Sequence, residues 1–379
     1  MKCVNKCDVI VTYCWNRVGY NILKSLSSKG LVVVCADTSK KNICSMSKWC
    51  ADSFAYPDPF TNETDFIECL IDKVNQYHPK VLMPTHDESL IIARYRNRFP
   101  KWLKISISDI KNLEVLSNKL SATKIAERVG VPTPRIYNSI DDISPHGYPV
   151  IIKPIIGNSA KGVVKASNKQ EAENAIINKN PNEIIIEEFI PGVDICVDCI
   201  RSDSFFYGSV YKAIVTKTHG GGTTTQRVMI DDDKLVEYAK KILDLIGYEG
   251  VCGMDFRVDS ASGNVGFIEA NPRFTGGIAT PIAAGFDIPY LLYNFQLSPI
   301  VETPISTRIG TKTKWILGDI IALADSIVNK HISWNVIKKT FSFRGFDAFD
   351  DFDKNDKKAI LGEFHYYLSK LIKNGKLNP

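Results

Sequence analysis

The chain has 379 residues, room for two or three domains at roughly 100–200 residues each. Apolar residues make up 44% and charged residues 23%, ordinary globular usage that excludes wholesale disorder and collagen-like or coiled-coil architectures. The net charge of +5 is uneven: residues 301–379 hold 13 basic and 9 acidic side chains, whereas residues 1–300 hold 34 and 33. A chain built around nucleic acid carries a stronger basic footprint, so no nucleic-acid partner is expected.

The longest apolar runs, such as Val150-Ile151-Ile152, fall far below the ~18–20 residues of a membrane span. Residues 1–8 lead straight into a strand-like run, so neither a signal peptide nor a transmembrane segment is expected, and the location expected is cytoplasmic. Ten cysteines in such a chain read as free thiols rather than a disulfide framework. Cys3, Cys7 and Cys14 read as scattered thiols rather than metal ligands. Cys196 and Cys199 have a zinc-like spacing, but in a strand i and i+3 point to opposite faces, so both read as packing residues.

In chain order, residues 8–12 read as a buried strand, 21–29 as a helix ending at Gly30, and 31–35 as the next strand. Residues 64–76 place apolar side chains at helical spacing, and 81–84 form another strand. This alternation predicts a parallel sheet with helices on its faces. The segment 13–19 lacks G-x-G-x-x-G, so a dinucleotide site is not expected. Asp87 and Glu88, in the segment 85–88, follow the C-terminal end of a strand, where open α/β sheets bind ligands, and are candidates for substrate contact. Residues 117–130 read as a helix capped by Ser117 or Asn118 and stopped by Gly130, with Pro132 and Pro134 forcing an extended turn after it. Short strands and glycine loops follow from 148, with helices near 169–178 and 232–246. From about 300 the chain turns basic, with helical periodicity at 315–327 and 357–373.

Chemistry concentrates in four places. Residues 251–258 and 265–273 form a hairpin in which Asp255 and Glu269 meet across the ladder, with Asn271 and Arg273 on the Glu269 face. Two carboxylates and an amide oxygen suit a hard cation shared with phosphates, and Arg273 suits a transferring phosphoryl group. Lys153 ends a strand and precedes a small-residue loop, Gly157 to Gly162 with Ser159 inside it, whose backbone N–H groups can close on phosphate oxygens. It is not a Walker loop. Residues 183–194 run from an apolar strand through Glu187 and Glu188 to Ile190, Pro191, Gly192 and Asp194, and read as an inter-lobe hinge able to meet an adenine edge and a ribose. Residues 217–227, with three consecutive glycines, read as a mobile loop, with His219 and Arg227 as candidate substrate contacts. No nucleophile elbow is present.

The order Lys119, Lys153 with its loop, the 187–194 hinge and then Asp255, Glu269, Asn271 and Arg273 resembles the ATP-grasp superfamily, and more narrowly carboxylate–amine ligases with the carbamoyl-phosphate-synthase and biotin-carboxylase ATP-binding unit. The resemblance covers about residues 1–300. It implies an α/β fold: a Rossmann-like domain at 1–108, a two-lobed ATP-grasp unit at 109–300 (small lobe about 109–186, large lobe about 187–300) and a mainly helical appendage at 301–379. It implies that Lys119 and Lys153 contact ATP phosphates, that Gly157, Ser159 and Gly162 close over them, and that Glu187 and the backbone of Glu188 and Ile190 hold adenine. Asp194 would face the ribose, where the family more often has Glu. Asp255, Glu269 and Asn271 would bind Mg2+, with Mn2+ as the substitute, and Lys153 and Arg273 would assist phosphoryl transfer. The expected reaction activates a carboxylate as an acyl-phosphate and joins it to an amine, one substrate being an amino acid. The other readings are a bicarbonate- or carbamate-phosphorylating enzyme and a non-catalytic ATP-binding regulatory module. The partners expected are small-molecule carboxylate and amine substrates and a second copy in a homodimer.

Overall fold

The computed structural model describes residues 6–157, 160–218, 221–259, 261–298, 306–328 and 334–374. The chain opens with β1 (Val9–Val11), α1 (Arg17–Ser28), β2 (Val33–Asp37), β3 (Asp52–Ala55), α2 (Glu63–Tyr77), β4 (Val81–Met83), α3 (Glu88–Arg94) and β5 (Lys104–Ile105). The five strands pair in parallel in the order β3-β2-β1-β4-β5. Both faces of this sheet are covered at its centre, so β1 and β4 are apolar throughout: Val9 and Val11 enter one core while Ile10 enters the other. Helix α1 begins at Arg17, earlier than periodicity suggested, because the Asn16 side chain accepts hydrogen bonds from the Val18 and Gly19 N–H groups.

The strand order reverses between β1 and β4, which makes their C-terminal ends the switch point where such sheets open a crevice. Glu88 ties the two ends together. Its Oε1 accepts the Thr12 hydroxyl at 2.6 Å and the Thr85 N–H at 2.9 Å, and the residue is fully buried. Substrate contact by Glu88 is thereby corrected: its carboxyl is enclosed as a brace between strands. Burial raises that carboxyl from 4.5 to about 7, against the two hydrogen bonds that lower it.

Two lobes follow. Helices α4 (Ile110–Ser117) and α5 (Lys119–Arg128) meet at Asn118, whose side chain caps α5, and Gly130 ends it at φ +74°. The small lobe holds β6 (Ile136–Tyr137), β7 (Val150–Pro154), β8 (Val164–Ala166), α6 (Lys169–Ile176) and β9 (Ile184–Glu188), in an antiparallel sheet ordered β6-β9-β7-β8. The large lobe holds β10 (Val193–Arg201), β11 (Phe206–Thr218), β12 (Gly221–Ile230), α7 (Asp233–Leu245), β13 (Gly250–Val258) and β14 (Val265–Asn271). Between the lobes Gly192 lies at φ +115°, and a Cβ there would stand 2.0 Å from the Val258 carbonyl oxygen.

Two expectations are corrected here. Of the segment 217–227, the described residues belong to two long antiparallel strands, 217–218 to β11 and 221–227 to β12; the β-branched threonines at 223–225 suit a pleated ladder. Residues beyond 300 are not an appended helical cap. After α8 (Ala279–Ala284) and α9 (Ile288–Leu297), β15 (Lys312–Lys314) pairs with β12, and β16 (Ala348–Phe349) pairs with β15, so both complete the seven-stranded large-lobe sheet. Helices α10 (Ile316–Val328), α11 (Trp334–Phe341) and α12 (Ala359–Asn374) surround them.

Asp350 locks this segment in place. Its carboxylate accepts Arg227 NH2 at 2.6 Å and Arg17 Nε at 3.1 Å, and its carbonyl accepts the Asn21 amide at 2.7 Å. Arg17 also lies over the Trp315 ring, 3.7 Å from its centroid. Arg227 is fully buried, so substrate contact by Arg227 is corrected as well. Asp356 ties to Tyr20 (3.2 Å), Ser47 and the Lys48 N–H (3.0 Å).

Asp350→Ala leaves two enclosed guanidinium groups uncompensated and is expected to cost about 3–5 kcal/mol in chemical denaturation. Glu88 predicts a pH slope. The unfolded chain ionises this carboxyl near 4.5 and the folded chain near 7, so stability falls as pH rises through that window, by up to about 3 kcal/mol. Glu88→Gln is expected to flatten the slope between pH 4.5 and 7, read from denaturation midpoints. The parallel contributions of Asp37 and Asp198, each raised to about 7 chiefly by burial, remain.

Candidate active site

Lys119 is the first residue of α5, and its N–H donates to the Ile155 carbonyl just past β7, which sets the helix against the small lobe. Its buried ammonium lies 3.2 Å from Glu269 Oε2 and donates to the Gly157 carbonyl at 2.6 Å. Lys153 stands on β7, where Ile151 pairs with Glu187 of β9, so Lys153 and Glu187 are diagonal neighbours on one face. They form a buried ion pair at 2.7 Å, and Lys153 also donates to the Ile268 carbonyl of β14 at 3.0 Å. Lys153 thus reaches from the small lobe to β14, while Lys119, on a helix packed into the large-lobe core, joins Glu269 to the segment after β7.

On the large lobe Asp255 of β13 sits directly opposite Glu269 of β14, with a bulge immediately after the pair. Asn271 Nδ2 bridges them, 3.1 Å from Asp255 Oδ2 and 3.4 Å from Glu269 Oε1. Burial, and then the charge of Glu269, push the Asp255 carboxyl up to about 8. Two facing carboxylates and an amide oxygen are the hard donor set that Mg2+ takes, and a dication between them would relieve the repulsion that raises Asp255. The residues present fit that ion.

Arg273 lies two residues past Asn271, and its Nε donates to Asp87 Oδ1 at 2.9 Å. Two separately predicted site residues therefore meet, joining the large lobe to the switch point of the N-terminal sheet. His86, 3.5 Å from Asp87 Oδ2, stacks on Tyr13 at 4.6 Å between ring centroids. Burial, and then the Arg273 charge, lower His86 to about 3, so its ring is neutral near pH 7. His86 lies in the 85–88 segment singled out from the sequence, whereas Tyr13 escaped that reading. The rule that pointed to the end of β4 applies equally to the end of β1, which is where Tyr13 stands.

The hinge departs in part from expectation. Of the Glu188 backbone expected at adenine, the N–H donates to the Arg135 carbonyl at 2.9 Å, and the Glu187 carboxylate is engaged by Lys153. The Ile190 side chain covers Gly266, where a Cβ would meet Ile190 Cδ1 at 1.9 Å. Asp194 lies 3.5 Å from Arg257; burial raises its carboxyl and Arg257 opposes the rise. Gly157 and Gly162 adopt φ +152° and +75°, conformations that suit glycine. Ser159 and His219 lie outside the described residues.

Known proteins share this arrangement in part. Residues 116–277 match the family described as ATP-grasp domain. The chain is similar to a D-alanine–D-alanine ligase of Fusobacterium nucleatum, 29% identical over 170 residues, which is 41% of this chain and 56% of the ligase. It is also similar to a carbamoyl phosphate synthase large chain of Clostridium acetobutylicum, 27% identical over 218 residues, 54% of this chain and 18% of the synthase. The match therefore spans about half the length of the first relative and under a fifth of the second. In fold, biotin carboxylase of Campylobacter jejuni superposes with a TM-score of 0.66 at 17% identity, covering 81% of this chain and 74% of that one. Residues 116–277, the stretch that matches the family described as ATP-grasp domain, hold both lysines and the hairpin with its facing carboxylates.

Proposed function

We propose that the chain is an ATP-dependent carboxylate–amine ligase with an amino acid as one substrate. The observation that carries the reading is the set Lys119, Lys153, Asp255, Glu269, Asn271 and Arg273 on facing surfaces of the two lobes, with every ion pair made inside the protein. In this reading the lysines exchange their carboxylate partners for ATP phosphates. Asp255, Glu269 and Asn271 would hold Mg2+, which supplies neutralising charge to the phosphates.

A carboxylate resists attack by an amine because oxide is a poor leaving group. In the proposed sequence a carboxylate oxygen attacks the γ-phosphorus, the bond to the β-phosphate oxygen breaks, and ADP departs. The amine nitrogen then attacks the acyl carbon, the carbon–oxygen bond breaks, phosphate leaves, and the nitrogen loses a proton. Arg273 stands where charge develops during transfer, and Asp87 holds its guanidinium in orientation. The crevice at the ends of β1 and β4, beside Tyr13 and His86, is where the acceptor carboxylate is placed.

The amino-acid choice is supported by the relative whose name has it joining one D-alanine to another. The carbamoyl phosphate synthase relative supports the second reading, a bicarbonate- or carbamate-phosphorylating activity, over a shorter share of its own length.

ADP release with Mg2+ is expected to be stimulated by an amino acid paired with a second amino acid or amine. Bicarbonate-dependent release without an amine would favour the second reading instead, and tight ATP binding with no turnover for any pair would remove both. Glu269→Gln is expected to lower kcat at least about 10²-fold with an unchanged circular dichroism spectrum. Near-wild-type turnover would mean that the hairpin is misassigned.

A further inference from the structure

Three thiols from separate stretches of the chain meet inside the N-terminal domain. Cys14 follows β1, Cys35 lies in β2, and Cys44 lies between β2 and β3; none is more than 1% exposed. Their sulfur atoms all lie within 4.8 Å of one another, and among the described residues this is the one such trio of His, Cys, Asp or Glu ligand atoms. The Cys14 thiol donates to the Val11 carbonyl at 3.2 Å. A fourth cysteine, the half-buried Cys50 just before β3, neighbours Cys35, and its thiol donates to the Asp52 carbonyl at 3.0 Å.

Packing alone does not require this convergence. A buried cysteine behaves as a small apolar side chain, and Cys7 is placed in that way in the opposite core of the same sheet. Here three sulfurs gather from separate stretches onto one point. Thiolates bound tetrahedrally at about 2.3 Å from zinc stand about 3.8 Å apart, so a spread within 4.8 Å closes by shifts of about an ångström or less. Helix α1 leaves the space open, because Gly19 presents no side chain where a Cβ would stand 3.0 Å from Cys14 Cα and 3.5 Å from Cys44 Sγ. The first three ligands come from the C-terminal half of a parallel sheet and the loop after it, so no short cysteine motif marks them in the sequence.

We propose that Cys14, Cys35 and Cys44 form a buried soft-metal site, with Zn2+ as its ion and Cys50 as the fourth ligand. Each thiol gives up its proton on binding, and the thiolates are neutralised by the ion they share. The soft, all-sulfur donor set distinguishes this site from the oxygen donors of Asp255 and Glu269. Its role is structural. It pins Cys14, the residue next to Tyr13, whose ring stacks on His86 at the candidate crevice.

The test uses the full chain, purified under reducing conditions without chelator, and then freed of metal. Inductively coupled plasma mass spectrometry of the purified protein is expected to find about one zinc per chain. Titration of the metal-free chain with Co2+ is expected to give thiolate-to-metal charge-transfer absorption and the visible bands of a tetrahedral site, saturating at one equivalent and bleached by Zn2+. Cys50→Ser, at a half-exposed position, should keep the fold and weaken Co2+ binding about tenfold or more, whereas Cys69→Ser, on α2, should leave it unchanged. Absence of the charge-transfer band in the folded wild-type chain would overturn the site, as would its persistence in Cys14→Ser/Cys44→Ser. Wild-type affinity in Cys50→Ser would overturn the fourth ligand.

Discussion

One carboxylate carries two guanidinium groups out of contact with water. Asp350 pairs with Arg17 at the start of α1 and with Arg227 on β12, and both Asp350 and Arg227 are fully enclosed. Taking three charges out of solvent costs several kcal/mol each before pairing, so the arrangement holds only when all three partners are in place. That requirement couples parts far apart in the chain. The N-terminal sheet, the large-lobe sheet and the segment beyond 300 each supply one member, and Trp315 stacks on the guanidinium of Arg17. The crevice between the N-terminal domain and the large lobe inherits its geometry from this junction.

Across that crevice the candidate active site repeats the same logic with less complete burial. Lys153 pairs with Glu187, Lys119 reaches Glu269, and Arg273 holds Asp87. Each cation has a protein partner in this state, and each partner sits on a different element. A polyanionic substrate entering between the lobes would exchange partners rather than create a site from solvated side chains. The Asp255 carboxyl is the exception: burial, and then the charge of Glu269, raise it to about 8, so it is largely protonated near pH 7.

The charge asymmetry of the sequence acquires a physical reading as well. Residues 301–379 carry a basic excess, yet Asp350, Asp351, Asp356 and Glu363 are all buried. Asp351 caps α10 through the Ile316 and Leu317 N–H groups at 3.1 and 2.9 Å, and Glu363 accepts the Trp315 indole N–H at 3.3 Å. The acidic side chains are therefore structural. Not all the basic ones are outside, since Lys314 is also enclosed, held by Asp319 at 3.0 Å and by the carbonyls of Lys339, Thr340 and Ser342. Its surface is more basic than a net count of +4 suggests because several acids have been removed from view.

What the sequence determined by itself is what short-range order can carry. Strand–helix alternation in the first hundred residues specifies the parallel sheet, because period and flanking turn residues act within a few positions. The 251–273 hairpin specifies the meeting of Asp255 with Glu269, because the register of a short turn is local. The start of α5 was legible to within one residue, the cap being Ser117 or Asn118, since a capping side chain bonds the next turn of its own helix; α4 before it was not. Tertiary structure alone decided the rest. A three-residue strand such as β15 has too few positions to show alternation, so its place beside β12 was invisible. Glu88 reads as an exposed acid until Thr12, 76 residues earlier, closes over it. Arg227 reads as a loop cation until Asp350, 123 residues later, pairs with it. Burial and partnership at those separations depend on how the sheets are stacked, and no local pattern of residues encodes that stacking.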